Sequence, residues 1–211
     1  MILLPIWIYQ RRNRPAVRGV RRSTVVGYFF LLGLAFLFIE IAFIQKFLLF
    51  LHHPLYAIAV VLSSFLIFSG LGSAWLGRLP PENRNRLLIQ AVAGIVVIGT
   101  VYLLFLDPLL EQLAMLTDAA RILICVTLIA PLAFLMGMPF PLGLGRLADI
   151  TPGLIPWAWS INGCASVISA VLATLLAIHL GFSTVIAVAL ALYALTLWVF
   201  PAPSRPDKTS Q

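Results

Sequence analysis

The sequence predicts an all-α integral membrane protein, a bundle of six transmembrane helices. The chain is 62% hydrophobic and only 10% charged, whereas about 25% of residues are charged in a typical soluble domain. Its mean hydropathy is +1.06. Apolar windows of about 20 residues, the length that crosses a bilayer, recur along the chain. They fill most of its 211 residues, which leaves no room for a soluble catalytic domain.

The apolar windows divide the chain into three parts. Residues 1–23 hold the short apolar segment MILLPIWIY and a basic linker, and residues 201–211 form a polar, proline-containing tail that we expect to be disordered and cytoplasmic. The N-terminal segment is too short to cross a bilayer, so it is either an interfacial helix or the end of a partial one. The transmembrane domain covers residues 24–200, with spans near 24–51, 54–77, 87–106, 119–140, 155–180 and 183–200.

Prolines, glycines and other small residues support the limits and the packing of these spans. Pro54 follows two histidines and fits the turn between the first two spans, because proline is tolerated at the start of a helix. The second span ends in SGLGSAWLG, where Gly70, Gly72 and Ser73 permit close backbone contact. The fourth span should break or bend at Pro139 and Pro141, or end there. The fifth begins in AWSINGCASVISA, which has small faces for tight packing that include Gly163.

Charged residues predict the topology. If the spans alternate, most basic residues fall on one side, in the first, third and fifth connections and the C-terminal tail. The positive-inside rule then places both ends of the six-helix unit in the cytoplasm, in a bacterial inner membrane. The arginine cluster within residues 11–22 is interpreted as a topology determinant that touches anionic lipids, so a nucleic-acid partner is not expected.

The sequence does not predict catalysis by this chain alone. Cys125 and Cys164 lie inside spans without a CxxC spacing, and the three histidines lie at the outer ends of spans. No nucleophile–base pair or metal-ligand cluster can be assembled from them. The glycine-rich stretches lie in or at the ends of spans rather than after a strand, so no cofactor site is expected.

Polar residues inside the spans are the candidates for a binding site. Glu40 lies near mid-bilayer, where an acid is costly, so it should face the bundle interior, be protonated or have a partner. Lys46 and Gln45 do not stack with it on one helix face, and Lys46 is expected to snorkel towards the headgroups. A partner must therefore come from another helix. The candidates include Ser69, Asn162 and Ser166, although serines in spans more often bond their own helix.

Several stretches together resemble one known family. GLAFLFIEIAFIQKF, HHPLYAIAVVL, FSGLGSAWLGRL, FLMGMPFPLGLGRL and WSINGCASVISAVLATLLAIHLGF, in this order, are similar to the membrane unit of bacterial polytopic spermidine-synthase-like proteins, often described as fused major-facilitator/spermidine synthases. The resemblance covers about residues 24–200. It implies that Glu40 is the family's first-helix acid and Tyr56 the tyrosine opening the second helix. It also implies family roles for Gly72 with Ser73, Pro139 with Pro141, and Asn162 with Gly163.

The chain lacks one domain that is usual in this family. Relatives of this kind usually carry a soluble Rossmann-like aminopropyltransferase domain, and six spans are half of the usual twelve of a major-facilitator transporter. The chain would then be the membrane part by itself, a split subunit or a fragment. The function implied is a membrane unit that anchors or feeds a soluble aminopropyltransferase-like partner. The alternatives are a stand-alone small-molecule or polyamine transporter working as a homodimer, and a purely structural membrane scaffold.

Overall fold

The computed structural model describes residues 22–80 and 83–200, and nearly all of these residues are helical. The predicted N-terminal segment, almost all of the basic linker and the C-terminal tail lie outside the described residues. No strand occurs within the described residues, which confirms the all-α class. The helices are α1 (Arg22–Leu51), α2 (Pro54–Leu76), α3 (Arg84–Gln112), α4 (Asp118–Met136), α5 (Pro139–Ile150), α6 (Ile155–Leu180) and α7 (Phe182–Val199), with a 3-10 turn at Pro152–Leu154 before α6.

Six stretches of the described chain are long and apolar enough to cross a membrane. Five of them correspond to α1, α2, α3, α6 with the preceding 3-10 turn, and α7. The remaining one, Asp118–Ile150, joins α4 and α5. The chain is therefore a multi-pass membrane protein, and a lipid bilayer is the environment of its exposed apolar faces.

Helix α1 is the centre of the bundle. It packs against α2, α6 and α7, and it buries a larger share of its residues than any other candidate span of the described chain. Its phenylalanines supply much of this packing. Phe43 makes edge-to-face contacts with Phe65 of α2 and Tyr102 of α3, with ring centroids 5.8 and 5.9 Å apart. Aromatic pairs prefer this geometry, so α1 fixes the positions of its neighbours.

Helix α3 is longer than the sequence predicts. It continues from residue 106, where the apolar window ends, through Pro108 to Gln112. The predicted span near residues 87–106 lies within this helix. The proline is accommodated close to the last turn, and the charge of Asp107 is paired with Lys46 of α1.

The span formed by α4 and α5 is interrupted at Gly137 and Met138, just before the prolines. Pro139 and Pro141 lie in the first turn of α5, where the missing amide hydrogens would have had no helical partner. The hydroxyl of Tyr28 in α1 donates a buried hydrogen bond to the carbonyl oxygen of Pro139, at 2.7 Å. This hydrogen bond fastens the start of α5 to the central helix.

We expect Tyr28→Phe to lower the free energy of unfolding by about 1 kcal/mol, because it removes a buried hydrogen bond and leaves the ring in place. Denaturant unfolding in detergent micelles measures the change. Tyr56→Phe is the control, since the Tyr56 side chain is 61% exposed. Equal stability of Tyr28→Phe and the wild type would contradict the fastening role.

Candidate functional site

Glu40 lies inside the bundle at the middle of α1. Only 8% of its surface is exposed, and the phenol of Tyr193 in α7 lies within electrostatic range of its carboxyl group. Within residues 22–80 and 83–200, no basic side chain forms an ion pair with Glu40. An ionised carboxyl group at this position would be costly to insert, because no described cation forms an ion pair with it.

Lys46, the basic residue closest to Glu40 in the sequence, is used elsewhere. Its ammonium group forms an ion pair and hydrogen bond with Asp107 of α3, which lies 61 residues away, and only 8% of the lysine side chain is exposed. The structure therefore gives Lys46 an acidic partner on α3 that the sequence analysis did not predict. An acidic partner on the neighbouring helix lets the ammonium group stay within the protein.

Gln45 and Tyr56 lie apart from the carboxyl group of Glu40. Gln45 is half-buried, and its side-chain oxygen Oε1 has no hydrogen-bond donor in the described chain. Tyr56 is exposed near the start of α2, where its ring contacts His53 at 5.7 Å between centroids. From Glu40 to the end of α1 at Leu51 the helix rises about 16 Å. Tyr56, just beyond that end, therefore lies at a different depth from Glu40.

Asn162 faces α1 at the level of Gly33. A Cβ on Gly33 would stand 2.7 Å from the main-chain oxygen of Asn162 and 3.1 Å from its side-chain oxygen Oδ1, so the missing side chain lets the helices meet. Gly33 lies about two helical turns, or about 10 Å, from Glu40. Asn162 consequently marks a close crossing of α1 and α6 rather than a hydrogen-bond partner of the acid.

The hydroxyl groups mostly serve their own helices. Ser166 donates to the carbonyl oxygen of Asn162 at 2.9 Å, and Ser69 donates to that of Leu66 at 3.4 Å. Ser169 is the exception among the serines named here, because it donates across to the carbonyl oxygen of Leu34 in α1 at 2.9 Å. Ser69, Asn162 and Ser166, which were among the candidate partners of Glu40, make the contacts described above and no hydrogen bond to Glu40.

The glycines divide into packed and open positions. Gly72 lies against the backbone of Phe134, and Gly137 lies against the backbone of Ser69, so α2 and α4 touch through reciprocal glycines. The sequence analysis missed Gly137. Gly70 and Gly163, which were expected in close packing, are exposed with no described atom within 4 Å of an added Cβ. Residues two apart on a helix point about 200° apart, so Gly70 and Gly72 cannot face the same neighbour.

A second polar region lies where α2 ends and α3 begins. Arg84 at the start of α3 forms an ion pair with Asp149 near the end of α5. A cavity of about 350 Å³ lies beside this pair, and its lining includes Ser73, Pro141 and Gly145. The residues of the pair are 65 positions apart, and no local spacing in the sequence signals it.

Arg121 of α4 contacts the C-terminal ends of α1 and α3, at the opposite end of α3 from Arg84. Its guanidinium donates to the carbonyl oxygen of Phe50 in the last turn of α1, at 3.2 Å, and to that of Ala114 just after α3. It also lies over the Phe50 ring, 5.7 Å from the centroid. A cation at helix C-termini is favoured by the helix dipoles, so Arg121 stabilises this end of the bundle.

The chain has no match among known proteins that would assign this arrangement. No family model, no curated protein and no solved structure matches it. The fold and the contacts described above therefore carry the functional argument.

Proposed function

We propose that the chain is the membrane unit of a spermidine-synthase-like system, in which Glu40 binds a protonated organic amine within the bilayer. The unit anchors or feeds a soluble aminopropyltransferase-like partner at the bacterial inner membrane. The observation that carries the proposal is the buried carboxyl group of Glu40, which has no cationic partner in the described chain.

Energetics favour a ligand at this position. An ionised acid near the bilayer centre costs roughly 2.5–3.5 kcal/mol on insertion scales. Lys46 cannot offset that cost because it is paired with Asp107. A ligand ammonium group would supply the missing positive charge.

The proposed docking of a soluble partner concerns the end of the bundle that holds the α2–α3 connection. If the spans alternate, this connection and the end of α5 lie on the side where the positive-inside rule places the cytoplasm. The ion pair between Arg84 and Asp149 joins the start of α3 to the end of α5 at this end of the bundle. This pairing supports a defined surface on which a partner can dock. The resemblance to spermidine-synthase-like proteins supplies the partner's class.

Binding of labelled putrescine and spermidine to the purified protein in lipid nanodiscs tests the proposal. We expect saturable binding to the wild type and a loss of at least about tenfold in affinity in Glu40→Gln, because the neutral amide removes the charged hydrogen bond to the ammonium group. The matched control is Asp118→Asn, an acid-to-amide change at an exposed position in the first turn of α4.

Two results would contradict the proposal. One is the absence of saturable amine binding to folded wild-type protein. The other is equal binding by Glu40→Gln and the wild type, which would leave the acid with a structural role. Loss of binding in Asp118→Asn as well would show a non-specific charge effect and would also count against Glu40.

A further inference from the structure

A cavity of about 410 Å³ opens between the last turns of α1 and α3 and the first turn of α7. Its size lies within the range of about 300–1,000 Å³ that is typical of small-molecule sites. Charged groups and apolar groups line it together. Lys46, Asp107 and Glu111 are on its polar side, and Leu49 and Phe182 are among its apolar residues.

The charged residues that line this cavity are Lys46, Asp107 and Glu111, and His52 lines it as well. Lys46 and Asp107 form an ion pair and neutralise each other. Glu111 follows Asp107 by four residues, so both carboxylates are on one face of α3. No ion pair joins Glu111 to another residue in the described ranges. Arg121, a further cation at this end, is held by the carbonyl oxygens of Phe50 and Ala114.

The position of Glu111 also favours a cationic ligand. It lies in the last turn of α3, which contains no basic residue. Carbonyl groups at a helix C-terminus already make the local potential negative, so an acid there is unfavourable until a cation binds. The ammonium group of Lys46 binds Oδ1 of Asp107. The other carboxylate oxygen of Asp107, Oδ2, remains available as a second acceptor.

The first turn of α7 supplies the opposite polarity. Phe182 and Ser183 line the same cavity and begin a helix that has no acidic residue in its first turn and no side-chain cap. Free amide hydrogens and the positive end of the helix dipole favour an anion there. Leu49, which is 63% exposed, provides an apolar path from the cavity to the surface of the bundle.

We propose that this cavity binds the headgroup of an aminophospholipid. Its primary ammonium group binds to Glu111, and its phosphate lies at the first turn of α7. An acyl chain leaves past Leu49 into the bilayer. A primary ammonium group donates hydrogen bonds to a carboxylate, whereas a trimethylated ammonium group has no N–H to donate. The site should therefore select phosphatidylethanolamine over phosphatidylcholine. It uses different residues from the proposed amine site at Glu40 and stands independently of it.

Native mass spectrometry of the protein with equal amounts of the two lipids, matched in acyl chains, tests this assignment. We expect the wild type to retain phosphatidylethanolamine about tenfold better than phosphatidylcholine, since a hydrogen bond to a charged group distinguishes them. Glu111→Gln should bring the ratio close to one. Asp118→Asn, an exposed acid outside the cavity lining, should keep the wild-type ratio.

Three results would overturn the assignment. The wild type could retain both lipids equally, or Glu111→Gln could keep the full preference for phosphatidylethanolamine. Soluble phosphoethanolamine could also displace the lipid at equal concentration, which would assign the cavity to a free zwitterion. None of these results bears on amine binding at Glu40, because Glu40→Gln leaves this cavity unchanged and its own assay uses putrescine and spermidine.

Discussion

Gly72→Ala is expected to destabilise the bundle by about 3 kcal/mol or more, near the upper end of the cost of overpacking. The added Cβ would meet the carbonyl group of Phe134 in α4, with the carbonyl carbon at 2.9 Å and the Cα atom at 3.3 Å. Backbone atoms cannot move aside as a flexible side chain can. The substitution would therefore push α2 away from α4 and break the contact that joins them.

The neighbouring glycine offers a matched control. Gly70 is exposed, and nothing lies within 4 Å of a Cβ placed there. Gly70→Ala should leave stability unchanged or raise it by up to about 1 kcal/mol, because alanine has the higher helix propensity. Both variants differ from the wild type by one methyl group in the same helix. Thermal unfolding in detergent, followed by size-exclusion chromatography, separates them. Equal melting temperatures for the two variants would contradict the α2–α4 contact.

Gly137→Ala tests the same contact from the other helix. Its Cβ would meet the backbone of Ser69, with the carbonyl carbon at 2.6 Å and the Cα atom at 2.7 Å. The loss of stability should be similar to that of Gly72→Ala. The combined variant should cost less than the sum of the two, because the first substitution already separates the helices and neighbouring sites are not additive.

The fold class could be predicted from the sequence because length and hydropathy determine it almost alone. Apolar windows of spanning length need no knowledge of neighbours, and the resulting six spans agree with the candidate spans of the structure. The interruption before Pro139 is likewise a local feature, since a proline has no amide hydrogen and is tolerated at the start of a helix but not in its interior. Such features depend only on consecutive residues and can be predicted from the sequence directly.

Contacts between helices could not be predicted in the same way. Gly70 and Gly72 look alike in the sequence, and only the rotation of α2 about its axis decides that Gly72 meets α4. The sequence offered Asn162 only as one of several candidate partners of Glu40, because helix order cannot be read from the spans. In the structure Asn162 packs against Gly33 where α1 and α6 cross, about two helical turns from Glu40 along α1. Helix rotation and helix order depend on the whole bundle, which no single motif encodes.

The ion pair between Lys46 and Asp107 gives the second large prediction. Asp107→Asn should lower the free energy of unfolding by about 1–3 kcal/mol, because it leaves a buried charged group without its partner. Lys46 is the costly member of the pair, since it is 8% exposed while the side chain of Asp107 is 57% exposed. Lys46→Met should therefore cost less than Asp107→Asn, as the carboxylate left behind can still reach polar surroundings.

Combining the two changes distinguishes a specific pair from two separate polar residues. In the combined variant, Lys46→Met with Asp107→Asn, neither member of the pair is charged. Stability should recover to within about 1 kcal/mol of the wild type, as for other buried pairs replaced together. A double-mutant cycle from denaturant unfolding in micelles measures the coupling. Additive losses would show that Lys46 and Asp107 do not stabilise each other and would contradict the ion pair. Strong coupling would show that Lys46 is committed to Asp107 of α3 and does not pair with Glu40.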